Sequence, residues 1–297
     1  MQPYEPWSIR SRRSKAAMAE IKTAIRSVLE DDHPMTVRQV FYQLVVREVI
    51  DKTEQAYKGV VVRLLTEMRM AGEIPFSWIV DESRRTRETQ TFDSVTDALK
   101  DTARFYRRSA LRESDVYVEI WCEKEALSGF IWDVASDCDV PVVVSKGTPS
   151  LTHLYESFEN VYRAARAGKH AYLYQFGDHD PSGCLIPRVI AARFNDFCQR
   201  HDCELPDIAR IALRPEHIRS YRLPSRPTKR DGNAHAKGFT GRSTELDALP
   251  PDILRDLVRD CIERHISAAQ VTALRVAEDS ERSLIEQFAR QVAKESL

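Results

Sequence analysis

Strand-length and helix-length segments alternate through the middle of this chain, and that alternation leaves few folds open to it. Val116–Trp121 reads as a strand, Ala126–Ala135 as a helix and Val140–Val144 as a second strand. A helix over Leu151–Ala167, a strand over Ala171–Phe176 and a helix over Leu185–Arg200 continue the series. Alternating elements of these lengths predict a parallel sheet covered by helices on both faces. Ligands of such sheets gather beyond the carboxyl ends of the strands.

Chemistry-bearing residues fall at those ends. Lys169–Phe176 alternates aromatic and aliphatic residues and runs into Gly-Asp-His-Asp-Pro-Ser-Gly183. Period-two geometry points Asp178 and Asp180 one way and His179 the other. Two hard oxygen ligands side by side suit Mg²⁺. The competing reading is an Asx-type turn with solvated acids. The strand ending at Trp121 also leads into acid, through Cys-Glu-Lys-Glu-Ala126. One glutamate there would complete a three-carboxylate site, and spacing alone leaves Glu123 and Glu125 both open.

The N-terminal part has a different texture. Ala17, Ile21, Ile25 and Val28 repeat at helical spacing within 14–30, and Asp31-Asp-His-Pro34 ends that helix. Thr36 is an expected N-cap for a helix from Val37 to about Val46. A longer helix follows from about Glu54 to Ala71, with Gly72 as its C-terminal signal. Ile74–Val80 suggests a short strand pair or wing. This order is the outline of a winged helix-turn-helix domain. Lys58, Arg63 and Arg69 would then serve DNA phosphates. The expected division is a winged-helix domain over 1–90, a linking helix within 91–113 (helical from about 93 to 110), and an α/β domain with a C-terminal helical extension over 114–297.

Length and composition bound the rest. A chain of 297 residues allows two domains, and 42% hydrophobic content allows a conventional core. No apolar run approaches the roughly 20 residues of a membrane helix, and the N-terminus lacks a signal-peptide core. The expectation is a soluble intracellular protein. The six cysteines form no CxxC pair, which favours reduced thiols over zinc or disulfides. The net charge is −1, but basic residues cluster: Arg10, Arg12, Arg13 and Lys15; Arg84, Arg85 and Arg87; Arg104, Arg107 and Arg108; and Arg226, Lys229, Arg230, Lys237 and Arg242 within the 225–243 loop. Such clusters are compatible with a DNA-facing surface and equally with solvated helix faces.

Three collinear motifs, Glu123-Lys-Glu-Ala126, Val144-Ser-Lys-Gly-Thr-Pro149 and Asp178-His-Asp-Pro-Ser-Gly183, resemble the Toprim domain. The version they resemble is that of DNA topoisomerase VI A subunits and their meiotic double-strand-break relatives. In that pattern the glutamate directly followed by lysine is the metal-site acid, which implies Glu123, with Asp178 and Asp180, as Mg²⁺ ligands. Thr36-Val-Arg-Gln-Val-Phe-Tyr42 resembles the segment carrying the active tyrosine. By position, Tyr42 becomes the nucleophile and Arg38 its assistant, one helical turn away on the same face. The helix geometry presents Tyr42 off the centre of the buried stripe of Val37, Val40, Phe41 and Leu44. The opposing reading is a tyrosine at a core edge.

The resemblance implies a type IIB topoisomerase-like activity. Tyr42 would cleave double-stranded DNA by transesterification and leave 5′-phosphotyrosyl ends. The enzyme would be a homodimer in which the tyrosine of one copy meets the acids of the other. The chain has the length of compact "mini-A" versions and carries no ATPase domain, so duplex passage would need a separate B-type ATPase subunit. Lys146, Arg84 and Arg85 join Lys58, Arg63 and Arg69 as expected DNA contacts, and the expected location is the cytoplasm, at the nucleoid. Two alternatives stand beside this reading: a Toprim nuclease of a defence or mobile-element system that uses water, with Tyr42 structural, and a non-catalytic DNA-binding subunit.

Overall fold

The computed structural model describes residues 14–80, 89–111, 114–228 and 239–295. The chain divides into two compact units, Met1–Val80 and Asp81–Leu297. Arg84, Arg85 and Arg87, the arginines before Ser14, and Lys229, Arg230 and Lys237 lie outside the described residues.

The first unit is helical. Helix α1 (Lys15–Asp31) starts at Ser14, whose hydroxyl accepts from the Ala17 amide, and buries Ile21, Ile25, Val28 and Leu29. Thr36 caps α2 (Val37–Val46) as its sequence predicts. The Gln39 amide donates to the Thr36 hydroxyl at 3.2 Å, and the Gln39 side chain accepts from the Thr36 amide at 2.8 Å. A reciprocal cap of this kind is worth about 1 kcal/mol.

The third helical run begins as α3 (Glu54–Ala56), passes through a π segment (Tyr57–Val62) and finishes as α4 (Arg63–Met70). Gly72, at φ +70°, ends it in the left-handed conformation that a residue without Cβ adopts freely. The expected wing takes another form. Phe76–Trp78 is a 3₁₀ turn, and strand β2 (Ile79–Val80) pairs in parallel with β1 (Met35–Thr36) rather than folding into a local hairpin.

The second unit is mixed α/β. It contains α5 (Val95–Phe105), β3 (Val116–Cys122), α6 (Ser128–Ala135), β4 (Val142–Val144), α7 (Leu151–Arg166) and β5 (His170–Phe176). It continues with α8 (Ile186–His201), β6 (Asp207–Ala212), α9 (Pro215–Ser220), β7 (Arg226–Pro227), β8 (Arg242–Ser243), α10 (Pro251–Glu263) and α11 (Ala268–Glu295). The alternation read from sequence is realised as a parallel sheet in which the three expected strands are joined by an unanticipated fourth, β6, in the order β4-β3-β5-β6. The helix expected as a linker, α5, belongs to this unit and packs on α11. Its exit is tied there by the Tyr106 hydroxyl donating to Glu281 and the Arg108 amide donating to Glu278, both at 2.7 Å.

One face of the sheet packs Trp121, Ala171 and Leu173 against Leu154, Phe158 and Val161 of α7 and Ile190, Phe194 and Phe197 of α8. Each large side chain buried there contributes roughly 1.5–3 kcal/mol. Val118, Ile120 and Cys122 alternate to the other face and are also fully buried, with α6 against β3 and β4. Among the described residues, no helix is long and apolar enough to cross a membrane.

Candidate functional site

The strand order creates the site. The chain goes from β3 outward to β4 on one side, then returns to β5 on the other. The carboxyl ends of β3 and β5 therefore flank the point where the winding reverses, the place where sheets of this kind commonly hold ligands. Cys122 and Phe176 are register partners at that edge, and the Glu123 amide extends the ladder by donating to the Phe176 carbonyl at 2.9 Å. Glu123 is thus fixed one residue past β3, beside the Gly177–Gly183 loop that leaves β5.

Two glycines make the close approach possible. A Cβ on Gly177 would collide with the Glu123 carboxylate and the Gln175 amide, and one on Gly183 with the Asp178 carbonyl oxygen. With that space kept open, Glu123 Oε2 accepts from the Asp178 amide at 2.9 Å. Burial, then the charges of Asp178 and Asp180, push the Glu123 carboxyl up to about 7, with the Asp178 amide and Lys124 opposing the rise. Asp178 and Asp180 therefore both act electrostatically on Glu123, and a cation beside Glu123 would relieve that repulsion.

Glu125 turns elsewhere and pairs with Lys146 at 3.0 Å. The geometry thereby separates the two glutamates that spacing left open. Lys146 follows β4 in the left-handed conformation, at φ +49°, and its side chain is 63% exposed. Asp180 accepts from the Gly183 amide at 2.7 Å, so the Asx-type turn is real, yet it leaves Asp180 within the electrostatic reach of Glu123.

Several residues that the sequence reading did not assign to the site surround the acids. Arg210 of β6 donates to the carbonyls of Gly177 (3.0 Å), Asp178 (2.5 Å) and Gly183 (2.7 Å) and to the Gln175 side chain (3.0 Å). One guanidinium thus holds the whole acid-bearing loop. Residues after β8 run antiparallel to that loop, with His179 and Thr244 exchanging backbone hydrogen bonds at 2.9 and 3.0 Å. This contact delivers Glu245 and Asp247 to the cluster, and the Leu246 amide to Asp178 Oδ1 at 2.8 Å.

Lys124 lies among these groups. Its ammonium is 2.6 Å from Asp247, 3.1 Å from Asp178 and 3.4 Å from Glu245. Burial opposes its charge, but Asp247, Asp178 and Glu245 outweigh that and raise its pKa. Burial holds Asp178 above the ordinary carboxylate range, against the pull of Lys124 and the Leu246 amide. As folded, these carboxylates face Lys124 and backbone amides, and no group of three acid, histidine or cysteine side chains among the described residues is already arranged around a metal position.

The donor set nonetheless suits Mg²⁺. Glu123, Asp178 and Asp180 offer only hard oxygens, and one oxygen of Asp247, a residue 1% exposed, has no hydrogen-bond partner. Glu123, Asp178 and Asp180 are the residues that would hold the ion.

The tyrosine segment lies in the first unit. Tyr42 is only 3% exposed, with Phe41 edge-on at 5.3 Å and the Lys52 ammonium 4.9 Å above its ring. Its ring belongs to the buried stripe instead of the outward edge expected from helix geometry. The Arg38 guanidinium lies 5.4 Å from the Tyr57 ring. Lys58 and Arg63 are exposed and pair one turn away with Glu54 (2.8 Å) and Glu67 (2.7 Å). Arg69 donates to the Leu65 carbonyl and covers the Phe76 ring.

No model of a known protein family matches the chain, and no curated protein matches it in sequence.

Proposed function

We propose that the chain cleaves double-stranded DNA in a Mg²⁺-dependent reaction, with Glu123, Asp178 and Asp180 as the metal acids and Tyr42 as nucleophile. The observation that carries this reading is the placement of those acids. They follow the carboxyl ends of β3 and β5 at the winding reversal of a parallel sheet, where burial first and then the charges of Asp178 and Asp180 push the Glu123 carboxyl up to about 7. The resemblance to topoisomerase VI A subunits supplies the rest: a Toprim identity for the α/β unit, a winged-helix identity for the first unit, and a homodimer. A B-type ATPase would serve as partner wherever strands are passed.

In this reading the Tyr42 oxygen attacks phosphorus and the deoxyribose 3′ oxygen leaves. A phenol with an ordinary pKa near 10 is a weak nucleophile at neutral pH, and the Arg38 guanidinium would favour its ionised form. Bound Mg²⁺ would neutralise charge developing on the phosphoryl oxygens. Lys58, Arg63, Arg69 and Lys146, with Arg84 and Arg85, would contact DNA backbone phosphates without reading sequence. Lys58 and Arg63 would exchange intrahelical partners for phosphate at little cost, since solvent-exposed ion pairs of this kind contribute little to stability.

The burial of Tyr42 favours a second reading, hydrolysis by water at the same acids with the tyrosine as core. Supercoiled DNA incubated with the protein and Mg²⁺, then denatured, separates the two. A covalent protein–DNA adduct abolished by Tyr42→Phe is the expected result. Cleavage that persists in Tyr42→Phe and vanishes in Asp178→Ala would establish hydrolysis instead.

A further inference from the structure

We propose that Lys124 is a resident rival of the divalent cation, and that it sets how tightly the acid cluster binds one by holding Asp178. The inference rests on Glu123, Asp178 and Asp180 being metal acids and goes beyond that reading by naming what regulates them. An ammonium has three N–H donors, and each has a carboxylate acceptor here, with Asp247 the nearest at 2.6 Å and Asp178 at 3.1 Å. Asp178 is thus the acid that Lys124 shares with the metal position. A divalent ion approaching Asp178 meets a positive charge already seated against the same carboxylate, and burial makes that repulsion stronger than it would be in water.

Glu245 and Asp247 give the arrangement its second part. They keep Lys124 in the cluster when Asp178 turns to the metal, so the lysine releases one acceptor and retains two. A second observation points the same way. One oxygen of Asp247 is buried and has no hydrogen-bond donor, although the residue is almost wholly enclosed. The cluster therefore keeps acceptor capacity beyond what Lys124 satisfies, as expected of a site that must hold a further cation. Arg226 reaches Glu245 from the outer side at 3.4 Å and leaves the Asp178 end to Lys124.

The test is Mn²⁺ binding to the full chain without DNA, followed by loss of the free-ion electron paramagnetic resonance signal. Lys124→Met removes the charge while keeping most of the side-chain volume. It is expected to tighten binding about tenfold, a modest share of the Coulomb energy between charges a few ångströms apart. Leaving Asp247 buried without its cation can unfold the protein, so Lys124→Met/Asp247→Asn is measured beside it. That pair removes one positive and one negative charge and leaves the net charge of the cluster unchanged. Tighter binding by the double variant isolates relief of competition at Asp178 from a simple change in net charge.

Wild-type binding that is lost in Asp178→Ala, together with binding by both lysine variants no tighter than wild type, would overturn the role of Lys124 and leave the metal acids standing. Absence of Mn²⁺ binding in wild type and both lysine variants would remove the metal reading and this inference with it.

Discussion

Glu123 couples fold and chemistry through a single carboxyl group. Its folded value of about 7 lies above the ordinary 4.5, so the folded protein holds that proton more tightly than the unfolded chain. The sign follows directly: the stabilisation is complete below about 4.5 and is lost as pH rises through about 7. The melting temperature of the metal-free protein is therefore expected to fall between about pH 5 and 8, and Glu123→Gln to flatten that decline. Glutamine still accepts from the Asp178 amide, so an unchanged slope in the variant would place the titration elsewhere. Asp178 and Asp180 were singled out by period-two geometry at a strand end, whereas spacing left Glu123 and Glu125 both open and only the family resemblance chose Glu123. Glu245, Asp247 and Arg210 were not recognised as neighbours of these acids, because only the folded loops bring such distant positions together, and without Glu245 and Asp247 the place of the adjacent Lys124 could not be read either. The burial of Tyr42 was hidden for a related reason: helical spacing shows which residues share a face but not what packs over its edge.

The Gly177–Gly183 loop shows how elements turn a sheet into a site. It is held from below by Arg210 of β6 and from the side by the antiparallel contact with Thr244, and it has no room for an added side chain at Gly183. A Cβ there meets backbone, which cannot rotate away. Gly183→Ala is expected to destabilise the protein by about 1–3 kcal/mol in urea unfolding and to weaken divalent-cation binding as Asp178 moves. Ser182→Ala, one residue earlier, should stay within about 0.5 kcal/mol. A neutral Gly183→Ala would mean that the loop is looser than this packing implies. Three strands and the helices of the alternating region were legible because each carries its own periodicity, but β6 was missed, and the order in the sheet was hidden, since β3-β4 and β3-β5 pairing satisfy the same pattern. The parallel β1-β2 contact was hidden because two-residue strands have no period to read.

Across the whole molecule, the proposed chemistry is divided between two units, with Tyr42 and Arg38 in the first and the acid cluster in the second. A homodimer in which each tyrosine serves the partner's acids makes a specific demand on mixed dimers. Tyr42→Phe protein keeps intact acids and lacks the nucleophile, whereas Asp178→Ala protein keeps the nucleophile and lacks an acid. Each homodimer of a single variant is expected to leave supercoiled DNA uncut. A heterodimer prepared by co-expression with two affinity tags contains one complete composite site and one doubly defective site. It should therefore nick one strand, converting supercoiled plasmid to open circles with protein attached, and produce no linear DNA. If each tyrosine instead serves the acids of its own chain, both sites of the heterodimer are defective and the plasmid stays supercoiled. Because the variants alone are inactive in either arrangement, nicking by the mixture identifies which chain's acids serve which tyrosine.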